Sequence, residues 1–331
     1  MPRGAAGAAG RFGRRPYFPQ ADWLWNRIPS LPVLDTNSAA MVTGLSAAGT
    51  KHMCNVIEFG VALRGPDGIT AATPRYDVVF RQAVNGGGDN WGPDPFSVTM
   101  PIPDDVIVPG IALPETTYDG HVSVADRRTG QVWSLWRGRD NVTSWSAWWG
   151  AQVSLWGDGR ESPIPQNGSS TASRLSRFGG VIRASEITAA HAANSGLDHA
   201  LFFATSMVAP TVFRYPAANT DGANGAGVGT PIPEGARVQL DPSINVDGLS
   251  GITPIEKIVA KTLQTHGAYV GDQTSDTTVR AAFLFEYLGE ASTVPQPNQP
   301  YLDVDPGFYD YYDMTHIPWS SLRVLRQWDG L

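Results

Sequence analysis

The chain has 331 residues, 42% of them hydrophobic and 17% charged, which places it among globular proteins with room for a large core. A net charge of −7 and a pI near 5.3 argue against a general nucleic-acid binder. Cys54 is the only cysteine, so no internal disulfide forms, and no apolar run is long enough to span a membrane.

Residues 1–35 read as an extended arm for assembly rather than as a domain. They hold Arg11, Arg14 and Arg15, with Phe12, Tyr17, Phe18, Trp23 and Trp25 set between prolines and no sustained period. An isolated arm cannot bury its own aromatics, so it is expected to wrap a neighbouring subunit, with Arg11, Arg14, Arg15, Trp23 and Trp25 as anchors. It lacks the apolar core of a signal peptide, so Sec-type export is not expected. Residues 36–331 form the body, with residue 190 as the place where a subdivision could fall.

Within the body, runs that alternate or stay apolar between Gly/Pro breaks predict strands over 55–63, 76–80, 121–126, 131–137, 144–155, 180–187, 199–206, 236–240 and 280–287. Arg127-Arg128-Thr129-Gly130, between two of these, marks a hairpin. Residues 157–178 are polar and Gly/Ser-rich, and a long surface excursion is expected there. One stretch predicts a helix, about 253–266. Thr253 caps it, Pro254 takes the first position and Glu256 completes a capping box. Ile255, Ile258, Val259 and Leu263 form its apolar stripe, Gly267 stops it, and a strand-like run then leads to Asp272. The segment with Leu322, Leu325 and Trp328 is expected to pack back onto the body. Many short strands and one long helix predict a mainly β fold, a jelly-roll-like β-sandwich with one amphipathic helix and an extended N-terminal arm.

No phosphate-binding loop, dinucleotide fingerprint, nucleophile elbow or zinc-protease motif is present. The six histidines are scattered, so no metal site and no cofactor is expected. The candidates for chemistry are polar residues at strand ends. Tyr118-Asp119-Gly120-His121 opens one strand, Asp198-His199 opens another and Asp272 closes a third. Two carboxylates flanking a sugar bond, helped by a histidine, perform glycoside cleavage, which singles out Asp119, His121, His199 and Asp272. Turn capping and backbone-satisfied histidines account for the same residues without catalysis. Both readings stand at this point. Trp91, Trp136 and Trp149 are candidates for stacking on sugar rings, since Trp148 and Trp149 must point to opposite faces of their strand.

The blocks DGHVSVADRRTGQVWSLW, GSSTASRLSRFGGVIRASEI, DHALFFATSMVAPTVFRYPA, GITPIEKIVAKTLQTHGAYVGD and MTHIPWSSLRVL, with the opening MPRGAAGAAGRFGRRPYFPQADWLWNRIP, resemble minor tail proteins of long-tailed phages that infect actinobacteria. The resemblance runs from residue 1 to about 328. It implies a virion protein at the tail tip, assembled in the bacterial host cytoplasm as a homo-oligomer. Its implied partners are other phage tail proteins and a host cell-surface glycan, with neither nucleic acid nor membrane insertion involved. Similar blocks occur in secreted bacterial proteins that look carbohydrate-related, and there the matching positions are Asp119, His121, His199 and Asp272. This chain departs from that pattern at His266-Gly267, where Tyr-Gly is usual, and at Asp272-Gln273, where Asp-Asn is usual. The expected function is therefore a tail protein involved in host attachment and carbohydrate binding. The alternative is a glycan-cleaving enzyme, a glycoside hydrolase or lyase, acting on host cell-wall polysaccharide.

Overall fold

The helix Pro254–Thr265 starts where its sequence says it should. Thr253 accepts the Glu256 backbone N–H at 3.4 Å, and the Glu256 carboxylate accepts the Thr253 N–H at 3.0 Å. Gly267, at φ +69°, ends the helix, and the strand Ala268–Gln273 follows directly. The computed structural model describes residues 15–80, 95–96, 99–114, 117–162, 168–223, 229–289 and 299–327. The chain is mainly β.

That strand lies inside a six-stranded sheet, in the order Lys51–Asn55, Val279–Leu284, Leu201–Thr205, Ala268–Gln273, Arg237–Leu240 and Leu322–Val324. The first pair and the Leu201–Thr205/Ala268–Gln273 pair are parallel, and the other neighbours are antiparallel. A second sheet has four strands, in the order Trp149–Ser154, Gln131–Trp136, His121–Asp126 and Val61–Arg64. Its middle hairpin turns at Gly130, whose φ of +70° suits glycine, and Asp126 accepts the Arg128 N–H at 2.8 Å. The sheets meet at Val61, which donates to Phe285 O at 3.1 Å and accepts from Tyr287 N at 2.9 Å.

Both faces of both sheets are covered, which is why strands such as Leu201–Thr205 read as unbroken apolar runs. Alternate residues serve two apolar layers. Val122, Val124, Leu201, Phe203 and Phe283 join the larger core, with the stripe of helix Pro254–Thr265. Val61, Leu63, Val132, Phe202, Tyr269 and Leu284 face a second core.

The second core corrects the expectation for the N-terminal segment. Tyr17, Phe18, Trp23 and Leu24 are buried in it, against this chain's own sheets. Phe18 N donates to Leu155 O at 2.7 Å, Ala200 N to Leu24 O at 2.8 Å, and the Tyr269 hydroxyl to Trp23 O at 3.0 Å. The aromatics need no neighbouring subunit to leave water, and each buried ring contributes roughly 2–3 kcal/mol. Two further expectations change. Residues 184–193 form a helix, not a strand, because the run ASEITAAHAA is alanine-rich, Glu186 bonds back to Arg183 and Asn194 takes a left-handed cap. Residues 168–178 are no surface excursion: Leu175 and Phe178 are buried, and Ser173 Oγ donates to Gly271 O at 2.6 Å. A short helix, Ser38–Leu45, was also not foreseen. Among the described residues no helix is long and apolar enough to cross a membrane.

Candidate functional site

Asp119 is fixed just before the strand His121–Asp126. Its N–H donates to Glu58 O at 3.1 Å, its carbonyl accepts from Arg137 N at 2.6 Å, and Trp136 Nε1 donates to its Oδ1 at 2.9 Å. Gly120, at φ +52°, makes the turn beside the Tyr118 ring, where a Cβ would fall 2.8 Å from a ring carbon. Asp272 sits near the end of Ala268–Gln273. The register with Leu201–Thr205 shifts just before it, so that Ala204 pairs with Asp272, a bulge that re-aims the strand end. Asp272 accepts a hydrogen bond from Arg177 Nη2 and, through Oδ1, from Gln273 N at 2.9 Å.

Asp119, Asp272, Trp136 and Trp149 line one cavity of about 490 Å³, together with Arg174 and Asp221. His121 lies beneath it, 99% shielded. Its Nε2 is 3.9 Å from Asp119 Oδ2 and its Nδ1 is 3.3 Å from Leu135 O. Burial, reinforced by the Arg177 charge, pushes this imidazole well below its usual range, so it is neutral at pH 7. His199 is elsewhere. It is buried with Nε2 3.2 Å from Glu186 Oε2 and Nδ1 2.9 Å from Ala200 O, edge-on to Trp25. Its role there is structural, so it is not one of the cavity residues. Trp91, Arg11 and Arg14 lie outside the described residues. Arg15 bonds Asp22 and Asn26, both at 2.8 Å, within its own segment. Trp23 is buried and Trp25 half-buried, its Nε1 donating to Phe18 O at 3.1 Å.

Sequence reasoning passed over the centre of the site. Arg177 is 1% exposed, and the carboxyls of Asp119, Glu161, Asp221, Glu234 and Asp272 all feel its charge. Asp221 comes from a loop pinned by Ala218 N to Ser173 O at 3.0 Å and by Ala223 N to Gln273 Oε1 at 2.8 Å. Glu234 ends the short strand Ile232–Glu234. Arg214 N and Gly235 N tie that corner down, donating to Glu234 O at 2.7 Å and Val270 O at 2.8 Å. The visible signal was a lone acidic residue in the apolar run Pro231-Ile232-Pro233-Glu234-Gly235. Arg177, in a serine-rich stretch, gave none.

Electrostatically the site is strained toward protonation. Burial pushes Asp272 up to about 7, with Asp221 and Asp119 adding to the rise and Arg177 opposing it. Burial also raises Asp119, against the Trp136 hydrogen bond and Arg177, and raises Asp221. Glu161, bonded by Ser170, goes up to about 7 for the same first reason. Glu234, fully buried, goes up to about 10 through burial, then Asp272 and Asp221. Thr220 is near enough to oppose that rise, yet neither Glu234 oxygen completes a hydrogen bond of good geometry; the Thr220 hydroxyl turns to Ala209 O at 3.4 Å. Carboxyl groups with unlike environments facing one cavity can divide acid and base roles between them. Comparison with known protein families, curated proteins and solved structures finds no match to this chain.

Proposed function

We propose that the chain acts on a bacterial surface glycan as a glycoside hydrolase, carried at the tip of a phage tail. The observation that carries the enzymatic half is the pair Asp119 and Asp272 in one cavity walled by Trp136 and Trp149. Asp272, with its carboxyl at about 7, keeps a proton in a large share of molecules at neutral pH and serves as general acid to the leaving oxygen. Asp119 is held by the Trp136 N–H and serves as the carboxylate on the other side of the bond. The half-buried Trp136 offers its indole face to the C–H face of a sugar ring, whereas Trp149, 4% exposed and packed on Phe80, backs the wall. His121 is a positioning residue behind Asp119.

The tail-tip half rests on the sequence blocks alone. On that reading the partners are other tail proteins, further copies of this chain and the host glycan. Leu31 and Val33, 90% and 56% exposed, are apolar side chains free for such contacts. We read the body as a two-layer sandwich related to a jelly roll, with its parallel pairs as the departure from that all-antiparallel pattern.

The test is a reducing-end assay on cell-wall arabinogalactan from an actinobacterium. Sugar release should fall at least ~100-fold in Asp119→Asn and in Asp272→Asn. Protein that sediments with the walls yet releases no sugar would reduce the function to glycan binding. Protein that neither binds nor cleaves would sink the proposal.

A further inference from the structure

We propose that Asp221, Glu234 and Asp272 hold a divalent cation of the calcium type at the floor of the cavity. The inference stands without the glycan reading: a cation bound here holds Asp272 ionised, so the acid role given to Asp272 above belongs to the cation-free protein.

One oxygen from each of the three carboxyls lies within 4.8 Å of the other two. Calcium binds oxygen at about 2.3–2.6 Å, so two ligands of one ion are separated by at most ~5 Å, and this trio fits that limit. Magnesium, at about 2.0–2.1 Å, needs the oxygens drawn within ~4 Å. A donor set made only of oxygen selects a hard cation over zinc or copper.

The independent observation is Glu234. It is fully buried, and both of its carboxylate oxygens are without a hydrogen-bond partner. A buried carboxyl left like this costs several kcal/mol unless something neutralises it. Protein charge does not. Arg177 is the guanidinium among these groups, and its one hydrogen bond goes to Asp272, which still has lone pairs to offer an ion. Asp119 faces the same guanidinium, so carboxyls outnumber it. A divalent cation at the floor offsets that deficit. The backbone supports the arrangement: at Gly222, beside Asp221, a Cβ would fall 2.2 Å from Ala209 O, so the loop sits tight against the strand behind it.

The rival occupant of the Glu234 carboxyl is a proton, and the two separate cleanly. EDTA-treated full-length protein is titrated at pH 7.5 with CaCl2, and separately with MgCl2 and MnCl2, by calorimetry and by thermal unfolding. One saturable site is expected, with a rise in Tm and calcium bound at least ~10-fold more tightly than magnesium. Glu234→Gln should bind at least ~10-fold more weakly, because a neutral amide oxygen replaces a carboxylate. Should that variant fail to fold, Asp221→Asn carries the same expectation. No heat and no Tm shift up to ~10 mM metal overturns the proposal, as does an unchanged response in both variants. Cation binding without sugar release sinks the hydrolase reading alone. Sugar release by protein that binds no cation sinks this inference alone.

Discussion

Arg177 and Arg183 leave the same stretch of chain, the first buried and the second half-buried, and their surroundings differ in kind. Arg183 donates to the Tyr17 hydroxyl at 2.6 Å and to Phe178 O, sits 3.7 Å from Glu186, and lies over the Tyr17 and Phe178 rings. It locks the N-terminal segment into the second core. Arg177 makes one hydrogen bond, to Asp272, and its buried Nε and Nη1 have no partner. Where an arginine holds the fold, its donors and its ring faces are used. Where a cavity is kept ready for something else, donors and acceptors stay open at a cost in stability.

The largest expected effect lies on the structural side. Trp23→Ala should cost about 3–5 kcal/mol, read from the midpoint of urea unfolding. A midpoint equal to wild type would mean the segment is not part of the core. Arg183→Met comes next, with a loss of about 2–3 kcal/mol that is similar at pH 5 and pH 8, because its partners are mostly neutral groups. Arg177→Met should behave differently. Its loss should be clear at pH 8 and shrink toward pH 5, where the raised carboxyls of the site take up protons. Parallel pH profiles for the two variants in thermal melts would erase the distinction.

Glu234→Gln gives a smaller and opposite effect in metal-free buffer. The folded carboxyl, at about 10, keeps a proton that the unfolded chain gives up above 4.5, so this group's contribution falls as pH rises between those values. The amide removes that slope, and the variant should match wild type at pH 4, exceed it by on the order of 1–2 kcal/mol at pH 5.5, and by more at pH 8. Greater stability of wild type at pH 8 would contradict the buried, unpartnered state. The smallest effect concerns His52, remote from both regions, stacked on Trp319 at 4.3 Å and bonded to Leu45 O at 2.7 Å. Burial lowers it from 6.5 to about 4, so its stabilisation is complete above 6.5 and is lost as pH falls toward 4. His52→Gln should remove about 1 kcal/mol of that loss by pH 5.5, and an unchanged acid limb would assign the acid sensitivity elsewhere.

The helix Pro254–Thr265 and the hairpin around Gly130 were legible because capping and turn chemistry are local. Asp119 and Asp272 were found because strand ends can be read from a pattern. The helix at 184–193 was misread because GGVIRASEI opens with a β-like run and its helical signal is mostly alanine. The buried fate of Tyr17 and Trp23 could not be read, since their partners are Phe178, Arg183, Phe202 and Tyr269, far along the chain. Arg177, Asp221 and Glu234 stayed hidden for the same reason. Arg177 and Asp221 are ordinary among their sequence neighbours, and Glu234, though a lone acid in an apolar run, becomes a site residue only when folding brings the three together.

The packing of the N-terminal segment also dictates an order of events during synthesis. Phe18, Trp23 and Leu24 leave the ribosome well before Phe202, Tyr269 and Leu284, which are among the side chains that cover them. The second core therefore cannot close cotranslationally around its earliest residues; they wait, uncovered, for most of the chain to emerge. Such late, long-range closure is slow, and for that interval the nascent protein carries an uncovered, sticky aromatic segment open to a chaperone or an assembly partner.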